Sequence, residues 1–132
     1  MVESIVVLVD DLFFLSKIME TAKAIGIKVV RGEMRDGSVL LGKSQPQAVI
    51  LDLNSRGIDA LECIKALKTD PVTCPIRLIG FVSHVQEDLI SAARAAGCDL
   101  VLARSVFTKR LPELLRSWSE EVRQSPSKQN SG

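Results

Sequence analysis

The sequence predicts a doubly wound α/β fold, a parallel sheet with helices on both faces. Three observations carry the prediction. Short β-branched runs recur along the chain. Stretches with apolar residues at helical spacing separate them, and Gly26, Pro71 and Gly97 close those stretches. Strands and helices in alternation give parallel pairing through right-handed crossovers. At 132 residues the chain suits one domain with a respectable core.

SIVVLV (4–9) is continuous and β-branched, as a strand buried on both faces should be. Asp10 and Asp11 end it. Leu15, Ile18, Met19, Ala22 and Ile25 then recur at helical spacing up to Gly26. IKVV (27–30) reads as the second strand. Ser38 to Lys43 reads as a short crossover helix with Val39, Leu40 and Leu41 inward. Pro46 interrupts before AVILDL (48–53), the third strand. Leu61, Ile64 and Leu67 mark a helix that ends before Pro71. IRLIGFV (76–82) is the fourth strand. Ser83-His84-Val85-Gln86 has the form of a capping box and opens a helix carrying Leu89, Ile90, Ala93 and Ala96. DLVLA (99–103) is the fifth strand, and Leu111, Leu114, Leu115 and Trp118 stripe the last helix. The domain is therefore expected over 1–123, with the polar 124–132 as a disordered tail.

Apolar residues make up 46% and charged residues 25%, the balance of a globular chain. A net charge of +1 argues against broad attraction to nucleic acid or acidic membrane. No apolar run reaches the roughly 18 residues a bilayer span needs. MVESIVVLVDD carries acids where a signal peptide carries lysines, so a cytoplasmic location is expected. Cys63, Cys74 and Cys98 form no C-x-x-C pair and read as small buried hydrophobes.

GSVLLGKS (37–44) matches a phosphate-binding loop letter for letter. That chemistry needs a helix directly after the serine, and Gln45, Pro46 and the third strand follow instead. The stretch reads as a crossover. No G-x-G-x-x-G follows the first strand, which argues against a dinucleotide enzyme. The single histidine, His84, has no obvious nucleophile to serve and reads as a solvated loop residue. Neither Asp10-Asp11-Leu12 nor Asp52-Leu53-Asn54 has the D-x-D form of a phosphatase, and DDLFF would repel a flavin phosphate.

Ligands of doubly wound sheets bind at the carboxyl ends of the strands. Asp10 and Asp11 close the first strand, and Asp52 lies near the end of the third. If those strands are neighbours, three carboxylates share a crevice and either raise one another's pKa or demand a cation. Oxygen ligands with open positions suit Mg²⁺.

These residues, in VVLVDD, DGSVLLGKSQPQAVILDL, VILDLNSRGIDALECI and AAGCDLVLARS, resemble the receiver domain of two-component response regulators. The resemblance covers about residues 4–119 and is to a chemotaxis-regulator-like receiver domain. It implies a flavodoxin-like (βα)5 sheet in strand order 2-1-3-4-5. It implies that Asp52 accepts a phosphoryl group from a histidine kinase or phosphotransfer protein in a phosphorelay. Mg²⁺ would sit on Asp11, Asp52 and the backbone carbonyl of Asn54, with Asp10 orienting a metal-bound water. A hydroxyl ending the fourth strand and a lysine ending the fifth would grip the phosphoryl oxygens. The face of helix four, strand five and helix five would meet a downstream target or a second copy.

The chain departs from that pattern. Val82 stands where the family has Thr or Ser, with Ser83 a possible substitute that also reads as a helix cap. Arg104 stands for the lysine, Ser105 for the proline that often follows it through a cis bond, and Val101 for the rotating aromatic residue. Ser55-Arg56 replaces Met-Pro, and Arg56 adds a cation beside the crevice. Two functions follow. One is a stand-alone phosphorylatable receiver with atypical switching, catalysing at most its own phosphorylation and dephosphorylation; the retained carboxylates favour it. The other is a phosphorylation-independent adaptor, favoured by Val82, Val101 and Ser105. No output domain follows 123, so direct DNA contact is not expected. Trp118 reads as a packing residue of the last helix. Of Phe13 and Phe14, one is expected in the core and the other at the crevice entrance.

Overall fold

The computed structural model describes residues 4–35, 38–40, 46–57, 59–83 and 86–131, the backbone alone at 4, 34, 35, 38–40 and 119–131. In chain order its elements are β1 (Ser4–Leu8), α1 (Leu12–Ala24), β2 (Lys28–Arg31), β3 (Glu33–Arg35), β4 (Ser38–Leu40), β5 (Ala48–Asp52), α2 (Ala60–Thr69), β6 (Arg77–Val82), α3 (Glu87–Ala96), β7 (Leu100–Ala103) and α4 (Arg104–Ser131). Five of the strands form one parallel sheet in the order β2-β1-β5-β6-β7. This is the doubly wound, flavodoxin-like order that the resemblance implies, with β1 and β5 side by side.

Side-chain alternation sorts the sheet into two faces. Ile5, Val7, Ile50, Ile79 and Phe81 pack with Phe14, Ile18, Phe107 and Leu111 of α1 and α4. Val6, Leu8, Val49, Leu51, Leu78, Val82 and Val101 pack with Ile64, Leu67 and Ala93 of α2 and α3. The second face is aliphatic and also takes in Cys63 and Cys98. The first contains an aromatic stack. Phe14 lies 4.8 Å from Phe81 and 5.9 Å from Phe107, and Phe81 lies 5.0 Å from Phe107, measured between ring centroids. Trp118 is buried against the same face, as its spacing implies.

Local signals set the helix ends. Asp11 caps α1 with its side chain, and Gly26 just beyond the helix adopts φ +78°, the left-handed region that glycine enters without strain. Gly97 ends α3 at φ +115°. Asp59 caps α2 by accepting from the Glu62 N–H, and α2 stops before Pro71.

Three expectations are corrected. The stretch expected to be a short helix at 38–43 is an antiparallel ribbon, with Glu33 opposite Leu40 and Arg35 opposite Ser38. The described residues therefore hold four helices rather than five. The register leaves a two-residue connection at Asp36-Gly37, a strong hairpin signal in the sequence, which with Leu41 to Gln45 lies outside the described residues. β4 lies against α2, so the ribbon takes the place of a covering helix on that side. The Ser83–Gln86 capping box does not form: α3 begins at Glu87, and Gln86 is itself the N-cap, without a side-chain cap bond. Finally, Cys74 is exposed, while Cys63 and Cys98 are buried as expected. α4 is assigned through Ser131.

Candidate functional site

The carboxyl ends of β1 and β5 bring the acidic residues together. Leu8 of β1 pairs with Leu51 of β5, so Asp52 and the Asp10-Asp11 pair emerge side by side. Asp52 ends the central strand and is the one charged residue buried among the described residues, at 8% exposure. Its Oδ1 accepts the Asn54 N–H at 2.9 Å. Burial pushes its carboxyl above the usual carboxylate range. The Asn54 N–H and the Arg104 charge pull the other way, and the charges of Asp10 and Asp11 add to the rise. Asp52 thus feels both acids and the arginine.

Each neighbouring acid has its own work. Asp11 Oδ1 accepts the N–H groups of Phe13 and Phe14 at 3.0 and 3.2 Å, and its Oδ2 accepts from Arg104 Nη2 at 3.0 Å. The Phe14 N–H and then the arginine hold this carboxyl below its ordinary range. Asp10 Oδ2 accepts the Ser55 hydroxyl at 2.6 Å and the Gly57 N–H at 2.7 Å. A Cβ at position 57 would stand 2.5 Å from that oxygen, so glycine there is what lets the carboxylate reach the backbone.

Arg104 leaves the end of β7 and opens α4, where the Thr108 hydroxyl donates to its carbonyl at 2.8 Å. Its guanidinium lies 4.2 Å above the Phe14 ring centroid, a cation–π geometry, while it binds Asp11. Phe14 is buried, whereas Phe13 is 91% exposed at the entrance, the division expected of that pair. Phe13, Phe14, Lys17, Arg104 and Thr108 line a cleft of about 290 Å³ there.

Alternation decides which residue of the β6 end faces the crevice. Asp52 continues the Ala48, Ile50 side of β5, which belongs to the α1–α4 face. Val82 has no exposure and lies in the core of the opposite face. The alternation past Ile79 and Phe81 puts position 83, not 82, on Asp52's side. Ser83 is exposed, and its N–H donates to Asn54 Oδ1 at 2.7 Å. Asn54 Nδ2 donates to Gln86 Oε1 at 2.6 Å, so the asparagine side chain, two residues past Asp52, holds both Ser83 and Gln86.

Other predicted residues fall elsewhere. Val101 is buried in the α2–α3 core, and Ser105 is exposed in the first turn of α4. Arg56 lines a cleft of about 320 Å³ with Leu53, Asp59 and Leu89, on the α2–α3 side; the cation that acts on Asp52 is Arg104. His84 lies outside the described residues. Sequence reasoning missed Ser55, Gly57 and Gln86 as partners of the site. The Ser-Arg-Gly run after the strand was a usable turn signal, but nothing local announced that Gln86 would meet Asn54 across a different loop.

Carboxylate and carbonyl oxygens are the donors a hard divalent cation takes. Mg²⁺ is held by one or two carboxylates together with waters and phosphoryl oxygens. Among the described residues, Asp10 Oδ1 and Asp52 Oδ2 accept no hydrogen bond from a side chain or an amide. Asp11 is engaged by Arg104 instead, and no group of three His, Cys, Asp or Glu side chains among the described residues stands ready around one ion. Asp10 Oδ1, Asp52 Oδ2 and the Asn54 carbonyl are the oxygens the described residues could offer to such an ion, while Asp11 is held by Arg104.

No family model and no curated protein matches the sequence. Solved structures do. The chain is similar to the phosphorylated cyanobacterial phytochrome response regulator RcpA, with a TM-score of 0.74 and 19% identity over 89% of this chain and 94% of that one. It is similar to the Mn²⁺-bound response regulator Rcp1, with a TM-score of 0.72 and 19% identity over 89% and 95%. It is also similar to the chemotaxis response regulator CheY4 of Vibrio cholerae, with a TM-score of 0.71 and 16% identity over 89% and 99%. Identities this low establish the fold, which is that of response regulator receiver domains.

Proposed function

We propose that this chain, which has the receiver fold, accepts a phosphoryl group on Asp52 from the phosphohistidine of a histidine kinase or phosphotransfer protein. The observation that carries the reading is the buried Asp52 at the end of the central strand, beside the strand that ends in Asp10 and Asp11, with Arg104 bound to Asp11. An Asp52 oxygen forms the new O–P bond as the N–P bond of the donor breaks, and the bonding pair returns to the imidazole. Asp10, Asp11, Asp52 and the Asn54 carbonyl would hold Mg²⁺, which would supply charge neutralisation for the phosphoryl oxygens. Asn54 holds the acceptor oxygen with its N–H and fixes the Ser83 backbone with its side chain. Ser83 is the candidate hydroxyl for the phosphoryl group, since Val82 has none and is buried in the opposite core. Arg104 supplies the fixed positive charge in place of a lysine. Incubation of the chain with Mg²⁺ and a small phosphodonor tests this. Intact-mass measurement should show a gain of one phosphoryl group, absent in Asp52→Asn; an unchanged mass with every donor, or an equal gain in Asp52→Asn, overturns it.

The switching that follows is atypical, because Val101 has no aromatic ring to turn between two positions. The α3–β7–α4 face remains the surface for a downstream protein or a second copy. No helix among the described residues is long and apolar enough to cross a membrane. One observation favours a second reading, a phosphorylation-independent adaptor: Asp11 is already neutralised from within by Arg104. Under that reading, partner binding is the same for the native chain and Asp52→Asn.

A further inference from the structure

The turn Ser55-Arg56-Gly57 stands between the acidic crevice and a second cleft. The Ser55 hydroxyl and the Gly57 N–H both donate to Asp10 Oδ2, at 2.6 and 2.7 Å, and anchor the turn on the crevice side. Arg56, between them, lines the cleft of about 320 Å³ on the α2–α3 side. Among the described residues its guanidinium takes part in no ion pair or hydrogen bond. Asp59 lines the same cleft. Its Oδ1 accepts the Glu62 N–H at 3.2 Å and caps α2, while no donor among the described residues engages its Oδ2. The rest of the wall is aliphatic. Leu53 is buried against Gly80, where a Cβ would stand 3.0 Å from the leucine Cδ1. Leu61 and Leu89 are half-buried against the same core and complete the wall.

Ligand sites begin at about 300 Å³, so this cleft suits a small molecule. It offers one cation, one anion and an aliphatic surface. A lone carboxylate would face the charge of Asp59, a lone amine would face Arg56, and an uncharged group would cover both without pairing either. A zwitterion with an aliphatic chain satisfies all three. We propose that the cleft binds a small aliphatic α-amino acid. The planar fork of Arg56 takes the carboxylate, Asp59 Oδ2 accepts from the ammonium, and the side chain lies on Leu53, Leu61 and Leu89. The anchored turn fixes the Arg56 backbone before the ligand arrives, which lowers the ordering cost of binding. The site is separate from the acidic crevice and does not depend on phosphoryl transfer to Asp52.

NMR titration of the full chain with L-leucine tests the proposal. The comparison probes are 4-methylpentanoate and 3-methylbutylamine, the same aliphatic chain with one charge each. Leucine should shift the methyl resonances of Leu53, Leu61 and Leu89 saturably. Each single-charge probe should bind about tenfold more weakly, having lost one charge-assisted contact. Arg56→Gln and Asp59→Asn should each weaken leucine binding about tenfold by the same loss. Asparagine caps a helix as well as aspartate does, so Asp59→Asn keeps α2 in place. Unmoved methyl resonances with leucine, equal affinity for the three probes, or an unchanged leucine affinity in either variant overturns the proposal and leaves the phosphoacceptor reading standing.

Discussion

The sheet carries one ion pair at each end, and the two are built for different purposes. At the amino end of β6 and β7, Lys68 Nζ donates to the carbonyls of Cys74 and Ile76 and to Asp99 Oδ2, at 3.1, 3.1 and 3.2 Å. All three of its donors are used. The same Asp99 oxygen accepts the Leu78 N–H at 2.7 Å, and the chain turns from Gly97 directly over the lysine stem. At the carboxyl end, Arg104 meets Asp11 at a similar 3.0 Å but spends one donor on it, beside a buried carboxylate. The first pair is saturated and ties α2 to two strands. The second is unsaturated and stands where negative charge is in excess. A saturated pair resists exchange, since breaking it strands several backbone carbonyls; an unsaturated one can change partners at little loss.

Stability measurements can break or sharpen that contrast. The largest effect should come from Lys68→Ala, which leaves two carbonyls and a carboxylate without their donor and should lower unfolding stability by about 2 kcal/mol in urea. Asp52→Asn should raise the thermal midpoint at neutral pH by a few degrees, a smaller change of opposite sign. The folded state binds the Asp52 proton more tightly than the unfolded chain does, because burial raises its pKa. The penalty of carrying that charge is therefore full above the raised value and relieved as pH falls through it. The gain in Asp52→Asn should shrink on acidification. Asp11 runs the other way: its lowered pKa gives stability that is present above the ordinary carboxylate value and is lost as pH falls through the lowered one. Arg104→Gln should have the smallest effect, within about 0.5 kcal/mol, as suits a partly exposed single contact. Should Arg104→Gln prove as damaging as Lys68→Ala, the arginine is cement and the contrast fails.

Much of the fold was legible because each strand is a short β-branched run with a clear stop. All five sheet strands lie within a residue of their expected bounds. The second crossover was misread because Val39, Leu40 and Leu41 satisfy a helical face as well as a strand, although Asp-Gly at 36–37 is a hairpin signal in the sequence. The convergence of Asp10, Asp11 and Asp52 was legible because strand ends next to each other in the sheet must meet. The direction of the chain at the end of β6 was not: Val82 turns into the aliphatic core, and Ser83 beyond it is exposed. Nor could the aromatic platform be seen, because Phe14, Phe81 and Phe107 meet only through the fold. The Ser83–Gln86 cap failed for a related reason: Gln86 accepts from Asn54, a long-range bond that local patterns do not encode.

The central claim is that Asp52 is an acceptor whose phosphoryl group is held by Ser83 and Arg104. A crystal structure of the full chain with Mg²⁺ and beryllium trifluoride, a tetrahedral phosphoryl mimic, tests it most directly. The account predicts the mimic on an Asp52 oxygen, with the Ser83 hydroxyl and the Arg104 guanidinium both donating to it and Asp11 turned to the metal. An Asp52 carboxylate without the mimic, beside an Arg104 still seated on Asp11, would contradict it.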